Sequence, residues 1–167
     1  SVHIENINIY IFRRYNMVEQ VNFEDVKRDV IHAFTNGCMC SESVITIANK
    51  HWDLGMGDDI MAVATGFPFG FGDGGNVCGA VASATMALGK VFGRVIPGDP
   101  SYEKCLNLVR ELNDDVIARF GSALCPDLLE GYEFATPVRK EHCSEIVVAV
   151  MESFARIMER ECGVHVC

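Results

Sequence analysis

The sequence has few positive charges and no long apolar run. It contains 14 lysine and arginine residues and 23 aspartate and glutamate residues, which gives a formal net charge of −9 at pH 7. Phosphate contacts need a basic face, so this balance argues against a nucleic-acid partner. No stretch approaches the roughly 18 consecutive apolar residues of a membrane span, and the first residues lack a signal-peptide pattern. We therefore expect a soluble cytoplasmic protein, or a periplasmic one if a leader has been removed.

Several common motifs of catalytic and metal-binding proteins are missing as well. The cysteines form no C-x-x-C pair, which argues against zinc ribbons and thioredoxin-like sites, and no C-x-x-C-H for covalent haem attachment. No G-x-x-x-x-G-K-[ST] occurs, so the glycine-rich stretch is not a nucleotide P-loop. The five histidines form no H-x-x-x-H or H-E-x-x-H pattern, and no E-x-x-H pair of a di-iron bundle is present.

Cysteine, in contrast, is abundant. The chain has 167 residues, of which 49% are hydrophobic, so it is long enough to form one domain whose core does not depend on disulfides. In a reducing cytosol, eight cysteines in such a chain indicate metal binding or redox activity. The alternative for any single cysteine is a small buried hydrophobic residue.

Helical periodicity runs through most of the chain and predicts an all-α fold. We expect one helical bundle of about five main helices with a glycine-rich loop. Residues 1–16 are interpreted as an N-terminal extension, native or added by cloning, residues 17–161 as an all-α redox domain, and residues 162–167 as a cysteine-containing tail.

One of these helices follows Asp99-Pro100, a capping residue and a proline at the first helical position. The spacing of its apolar residues predicts a single buried face made of Tyr102, Cys105, Leu106, Val109, Leu112, Val116, Ile117 and Phe120. Cys105 is therefore interpreted as a core residue.

Four other cysteines occupy positions where thiolates are stabilised. Cys40, Cys78 and Cys143 are predicted in the first turns of three helices, and Cys125 in a turn before Pro126. The free N–H groups and the dipole of a helix start lower the pKa of a thiol and make it a better ligand or nucleophile. Together the four match the ligand count of an iron–sulfur or zinc site.

The glycine-rich stretch "GFPFGFGDGGNVCG" leads directly into Cys78. We predict that Gly72, Gly74, Gly75 and Gly79 let the backbone approach a cofactor held by that cysteine. Cys38 is an alternative ligand beside Cys40, and His142 could tune Cys143. For Cys162 and Cys167 a bridge, a metal site and a frayed end all remain open.

Four segments in order resemble a known family: "GCMCSESV", "FGFGDGGNVCGAVASATMALG", "FGSALCPDLL" and "EHCSEIVVAVME". They are similar to the C_GCAxxG_C_C family of redox-active proteins, which is related to the cluster-bearing part of split-Soret cytochrome c. The family cysteines fall on Cys40, Cys78, Cys125 and Cys143. The resemblance implies a helical, homodimeric redox protein whose cysteines bind an iron–sulfur centre.

From residues and resemblance together we expect a small iron–sulfur protein, with a 2Fe-2S cluster favoured, that acts in electron transfer or redox sensing. We expect a redox carrier with an unidentified partner protein rather than an enzyme that turns over a substrate. The alternatives are a thiol–disulfide relay or sulfur carrier, in which Cys38 and Cys40 exchange with Cys125 or Cys143, and a structural zinc module.

Overall fold

The computed structural model describes residues 17–167 and confirms the predicted all-α class. Its helices are α1 (Phe23–Thr35), α2 (Cys40–Trp52), α3 (Ile60–Ala64), α4 (Pro68–Phe71), α5 (Gly79–Phe92), α6 (Tyr102–Phe120), α7 (Cys125–Leu128) and α8 (Pro137–Cys162). Two short strands, β1 (Gln20–Val21) and β2 (His165–Val166), accompany them. The predicted extension, residues 1–16, lies outside the described residues. Within residues 17–167, no helix is both long and apolar enough to cross a bilayer.

Helix α5 lies at the centre of the bundle, as its many small side chains predict. It packs against α2, α6 and α8, while α1 packs against α2 and α8. Ala80, Ala84 and Ala87 are fully buried, and these short side chains let the neighbouring helices approach closely. Elsewhere in the core, the rings of Trp52 and Phe154 meet edge to face with centroids 5.0 Å apart.

The last residues of the chain pair with the segment that precedes α1. Strands β1 and β2 are parallel, with Gln20 opposite His165 and Val21 opposite Val166. The Phe23 amide also donates to the Cys167 carbonyl at 2.8 Å. These bonds attach the tail to the start of the domain.

Helix α6 buries only part of the face that its sequence pattern predicts. Leu108, outside the predicted face, is buried together with Leu112 and Val116. Leu106 and Ile117 remain 55% and 41% exposed. Two overlapping stripes of this helix are apolar, and contact with α5 and α8 decides which one is covered.

Asp29 on α1 connects that helix to the end of α2. Its carboxylate accepts from the Lys50 ammonium at 2.7 Å, contacts the His51 ring at 3.0 Å, and pairs with Arg28 at 2.9 Å. These donors, Lys50 first among them, hold the pKa of the Asp29 carboxyl well below its usual range.

We predict that Asp29→Asn lowers the free energy of unfolding by about 1 kcal/mol at pH 7, because it removes the shared acceptor. Since the folded-state pKa is depressed, this stability is present above the unfolded-state pKa near 3.9 and is lost as the pH falls through the folded-state pKa. Urea unfolding should therefore show a difference from wild type that is constant from pH 7 to about pH 4 and shrinks below it. Glu141→Gln, at an exposed position of α8, is the control and should change stability by less than about 0.5 kcal/mol. A stability difference between Asp29→Asn and wild type that stays constant down to pH 2 would contradict the lowered pKa of the Asp29 carboxyl.

Candidate functional site

Four cysteines from four separate segments line one cavity of about 410 Å³. They are the four that the sequence singles out as ligands: Cys40, Cys78, Cys125 and Cys143. Cys40 and Cys125 begin α2 and α7, Cys78 is the residue before α5, and Cys143 lies within α8. Most of the remaining wall is aliphatic or aromatic. The fold therefore gathers thiols that are far apart in the chain into one apolar space.

Polar contacts fix the helix start that carries Cys40. The Met39 amide donates to Glu42 Oε2 at 2.9 Å, and the Thr65 hydroxyl donates to Glu42 Oε1 at 2.8 Å. The Ser41 hydroxyl donates to the Ala64 carbonyl at 2.8 Å. Glu42 is the third residue of α2, where a glutamate caps the free N–H of the preceding turn. These contacts of the neighbouring residues fix the backbone that carries Cys40.

The Cys40 sulfur occupies the space where residue 79 would carry a side chain. A Cβ built on Gly79 would lie 2.8 Å from Cys40 Sγ and 3.1 Å from the Phe67 carbonyl oxygen. Because real Cβ atoms do not approach other atoms so closely, glycine is required here for the sulfur to reach its position. Gly79, predicted as part of a cofactor wall, instead packs directly against a predicted ligand.

A short antiparallel bridge places Cys78 beside Cys125. Val77 pairs with Leu124, the Cys78 amide donates to the Ala123 carbonyl at 2.9 Å, and the Cys125 amide donates to the Asn76 carbonyl at 2.8 Å. This backbone pairing sets the spacing of the two cysteines. No hydrophobic pattern signals so short a bridge, and the sequence reading missed it.

Cys40 and Cys78 interact as a thiol pair in the cavity. Interaction with the Cys78 thiol, assisted by backbone amides at the starts of α2 and α5, lowers the pKa of Cys40 to about 7. The same interaction, followed by burial, raises the pKa of Cys78. At neutral pH the pair is therefore partly ionised, and the thiolate is Cys40 rather than Cys78.

The other two cavity cysteines are disfavoured as thiolates. Burial first, and then the charge of Cys40, raises the pKa of Cys125 to about 11 and also raises the pKa of Cys143. The Arg139 guanidinium opposes the rise at both sulfurs, and Lys140 opposes it at Cys143.

Cys143 is not at a helix start, contrary to the sequence prediction. Helix α8 begins at Pro137, with Thr136 accepting from the Arg139 amide at 3.3 Å, so Cys143 lies inside the helix with no free N–H groups around it. Its neighbour His142 contacts the Leu128 carbonyl at 2.9 Å and stacks on Tyr132 at 4.4 Å. This histidine therefore connects α8 to α7 and to the residues that follow α7.

The remaining predicted glycines shape the loop rather than the cavity wall. Gly72, Gly74 and Gly75 are not among the cavity residues. Gly72 and Gly75 adopt left-handed φ angles of 63° and 68°, and a Cβ on Gly74 would lie 2.8 Å from the Phe71 carbonyl oxygen. They permit the turns that bring Pro68 and Phe69 to the cavity.

The other cysteines lie away from this cavity. Cys38 is half-buried outside its lining, and burial followed by the nearby Glu42 raises the pKa of its thiol. Cys105 packs partly against the core, close to its predicted role. The Cys167 sulfur accepts from the Gln20 side chain at 3.0 Å at the protein surface.

The cavity cysteines do not surround a single point. Among residues 17–167, no group of three or more His, Cys, Asp or Glu side chains is arranged to hold one metal ion. A lone zinc ion needs four ligands at about 2.0 to 2.3 Å from one centre. The four thiols line one cavity of about 410 Å³ with mostly apolar walls, and four cysteine sulfurs are the donor set of an iron–sulfur cluster.

We predict that Gly79→Ala destabilises the protein by about 1 to 3 kcal/mol, because the new Cβ collides with the Cys40 sulfur and the Phe67 carbonyl. Gly89→Ala is a matched control in the same helix, since a Cβ there meets nothing within 4 Å. That control should stabilise the protein by about 0.5 to 1 kcal/mol through helix propensity. Thermal unfolding of both variants is the measurement, and an unchanged or raised midpoint for Gly79→Ala would contradict the contact.

Comparison with known proteins identifies a relative and a family. An "Uncharacterized protein" from Archaeoglobus fulgidus is 27% identical over 143 residues, which cover 77% of this chain and 90% of the relative. No solved structure matches the chain. The family model described as "Putative redox-active protein (C_GCAxxG_C_C)" matches residues 38–157, a span that includes all four cavity cysteines. The chain therefore belongs to the C_GCAxxG_C_C family of redox-active proteins.

Proposed function

We propose that this protein is a small iron–sulfur redox protein in which Cys40, Cys78, Cys125 and Cys143 hold the cluster. The observation that carries the proposal is that these four cysteines line one cavity. Four cysteine thiolates are the usual ligand set of a 2Fe-2S or 4Fe-4S cluster, and we favour 2Fe-2S. When bound, such a cluster supplies one-electron transfer.

The charge balance of the cavity is compatible with a cationic core among the sulfurs. Burial and the Cys40 charge oppose ionisation of Cys125 and Cys143, so four thiolates are unfavourable there by themselves. A bound metal centre reverses this preference, because its positive charge stabilises every coordinating thiolate. A thiol pair alone would account for only two of the four cysteines.

The protein residues around the sulfurs have separate tasks in this proposal. The capped start of α2 orients Cys40, the Val77–Leu124 bridge orients Cys78 and Cys125, and the apolar wall limits water around the sulfurs. Restricted solvent access and N–H groups near sulfur are the means by which a protein sets a cluster's reduction potential.

The direct test is anaerobic purification followed by iron and acid-labile sulfide analysis with a visible spectrum. We expect stoichiometric iron and sulfide, and Cys78→Ser should remove the visible absorption and most of the iron. Cys105→Ser is the matched control, because Cys105 lies outside the cavity, and it should keep the full spectrum. A colourless, iron-free wild type after anaerobic reconstitution would contradict the proposal, and stoichiometric zinc would favour the structural module instead.

The interaction between Cys40 and Cys78 on the wall of the same cavity favours a second candidate, a thiol–disulfide relay. Its observation is a thiolate with a pKa of about 7 next to a protonated thiol. In this reaction the Cys40 thiolate attacks an external disulfide and releases one thiol. Cys78 then gives up its proton and attacks the Cys40 sulfur, which releases the second thiol and leaves a Cys40–Cys78 disulfide. In this candidate the exchange partner of Cys40 is Cys78, whereas the sequence pattern had suggested Cys125 or Cys143.

For this candidate we predict that the metal-free protein, treated with oxidised glutathione, forms a Cys40–Cys78 disulfide with the loss of two hydrogen atoms. Peptide mapping by mass spectrometry before and after reduction measures it. Cys38→Ser and Cys105→Ser should form the same linkage, whereas Cys78→Ser should stop at a mixed disulfide on Cys40. A different linkage, or none, would exclude the relay.

A further inference from the structure

The cavity extends past its cysteines to a mouth made of aromatic rings and two cations. Phe34, Phe69, Phe134, Arg139 and Lys140 all belong to its lining. Phe134 is 71% exposed and Phe69 is 38% exposed, whereas Phe34 and Cys78 are both buried, so Phe69 and Phe134 form the entrance and Phe34 lies deeper in the wall. The rings of Phe69 and Phe134 lie 5.8 Å apart with a tilt of 52° between their planes.

Both cations at the mouth face rings instead of carboxylates. The Arg139 guanidinium lies 4.5 Å from the centroid of Phe134 and 5.8 Å from that of Phe69. Lys140 Nζ lies 3.5 Å from the centroid of Phe34. Across residues 17–167, every ion pair joins other side chains, so neither cation is neutralised by an acidic group.

Two cations without a carboxylate partner are unusual in a chain of net charge −9, which repels anions over most of its surface. Arg139 also interacts with Cys143 on the cavity wall, where burial keeps that thiol protonated. At this mouth the two cations line the wall of an otherwise apolar space of about 410 Å³. Sites for small organic molecules have volumes of about 300 to 1,000 Å³, with mostly apolar walls and a few well-placed polar groups. The walls and the charge together select a ligand that is both apolar and anionic.

We propose that the cavity mouth binds a small planar aromatic anion, with its ring against the phenylalanines and its carboxylate or sulfonate on Arg139 and Lys140. Planar rings stack on Phe69 and Phe134 at low entropic cost. The guanidinium of Arg139 offers paired N–H donors that match the two oxygens of a carboxylate. This inference uses the mouth residues, so it goes beyond the cluster proposal and is tested separately.

Isothermal titration calorimetry with 2-naphthoate and its neutral analogue 2-naphthamide tests the proposal on the protein as purified. We expect saturable one-to-one binding of 2-naphthoate, about tenfold or more tighter than 2-naphthamide. Arg139→Gln should weaken 2-naphthoate binding by about tenfold and leave 2-naphthamide binding unchanged. Arg110→Gln, at an exposed position of α6 outside the cavity, is the control and should change neither affinity.

Two further variants keep the test decisive if Arg139→Gln does not fold. Arg139→Lys should keep the preference for the anion, and Lys140→Gln should reduce it. Absence of saturable 2-naphthoate binding, or an equal loss of affinity for both compounds in the variants, would overturn the inference. Iron and sulfide content, measured on the same samples, reports on the cluster proposal independently of this result.

Discussion

The contact between the Cys40 sulfur and the backbone of Gly79 determines how α2 meets α5, and the site depends on it. At this crossing a Cβ at position 79 would lie 2.8 Å from the sulfur, so a glycine at this position leaves the room that the Cys40 side chain occupies. That approach brings the start of α2 against the start of α5 and places Cys40 beside Cys78. The sulfur pair and the amides around it then produce a thiolate with a pKa of about 7 at the inner end of the cavity. The packing of this region therefore depends on the position of one sulfur atom, whereas a core cysteine only needs to fill a small apolar space.

The rest of the site adds to this pair from two directions. The Val77–Leu124 bridge brings in Cys125, and α8 contributes Cys143 together with the cations of the mouth. Negative charge thus concentrates on Cys40 at the inner end, while Arg139 and Lys140 supply positive charge toward the entrance. Both parts lie within apolar walls, where charge interactions are stronger than at a solvated surface. This polarity is compatible with a redox centre at the inner end and an anionic ligand at the entrance.

Prediction from sequence succeeded where local chemistry decides the outcome and failed where packing decides it. The sequence predicted Cys40 in the first turn of a helix and Cys125 in a turn before Pro126, and in the structure α2 begins at Cys40 and the short α7 at Cys125. The buried face of α6 was predicted only in part, because two overlapping stripes are apolar and only contact with α5 and α8 selects Leu108 over Leu106. Cys143 was predicted in a first turn because the sequence pattern placed the start of the last helix at about Arg139. In the structure that helix, α8, begins at Pro137.

What the sequence determined by itself is the helical class, the family and the choice of Cys40, Cys78, Cys125 and Cys143 among eight cysteines, because periodicity, turn signals and ordered motifs are local properties. What only the tertiary structure decided is which of these thiols touch, which of them carries charge, and what else lines their cavity. Those properties depend on distances between segments far apart in the chain, and burial and Coulomb interactions change with such distances. The same reason explains the mouth: Phe34, Phe69 and Arg139 share no motif, and the fold alone brings them together.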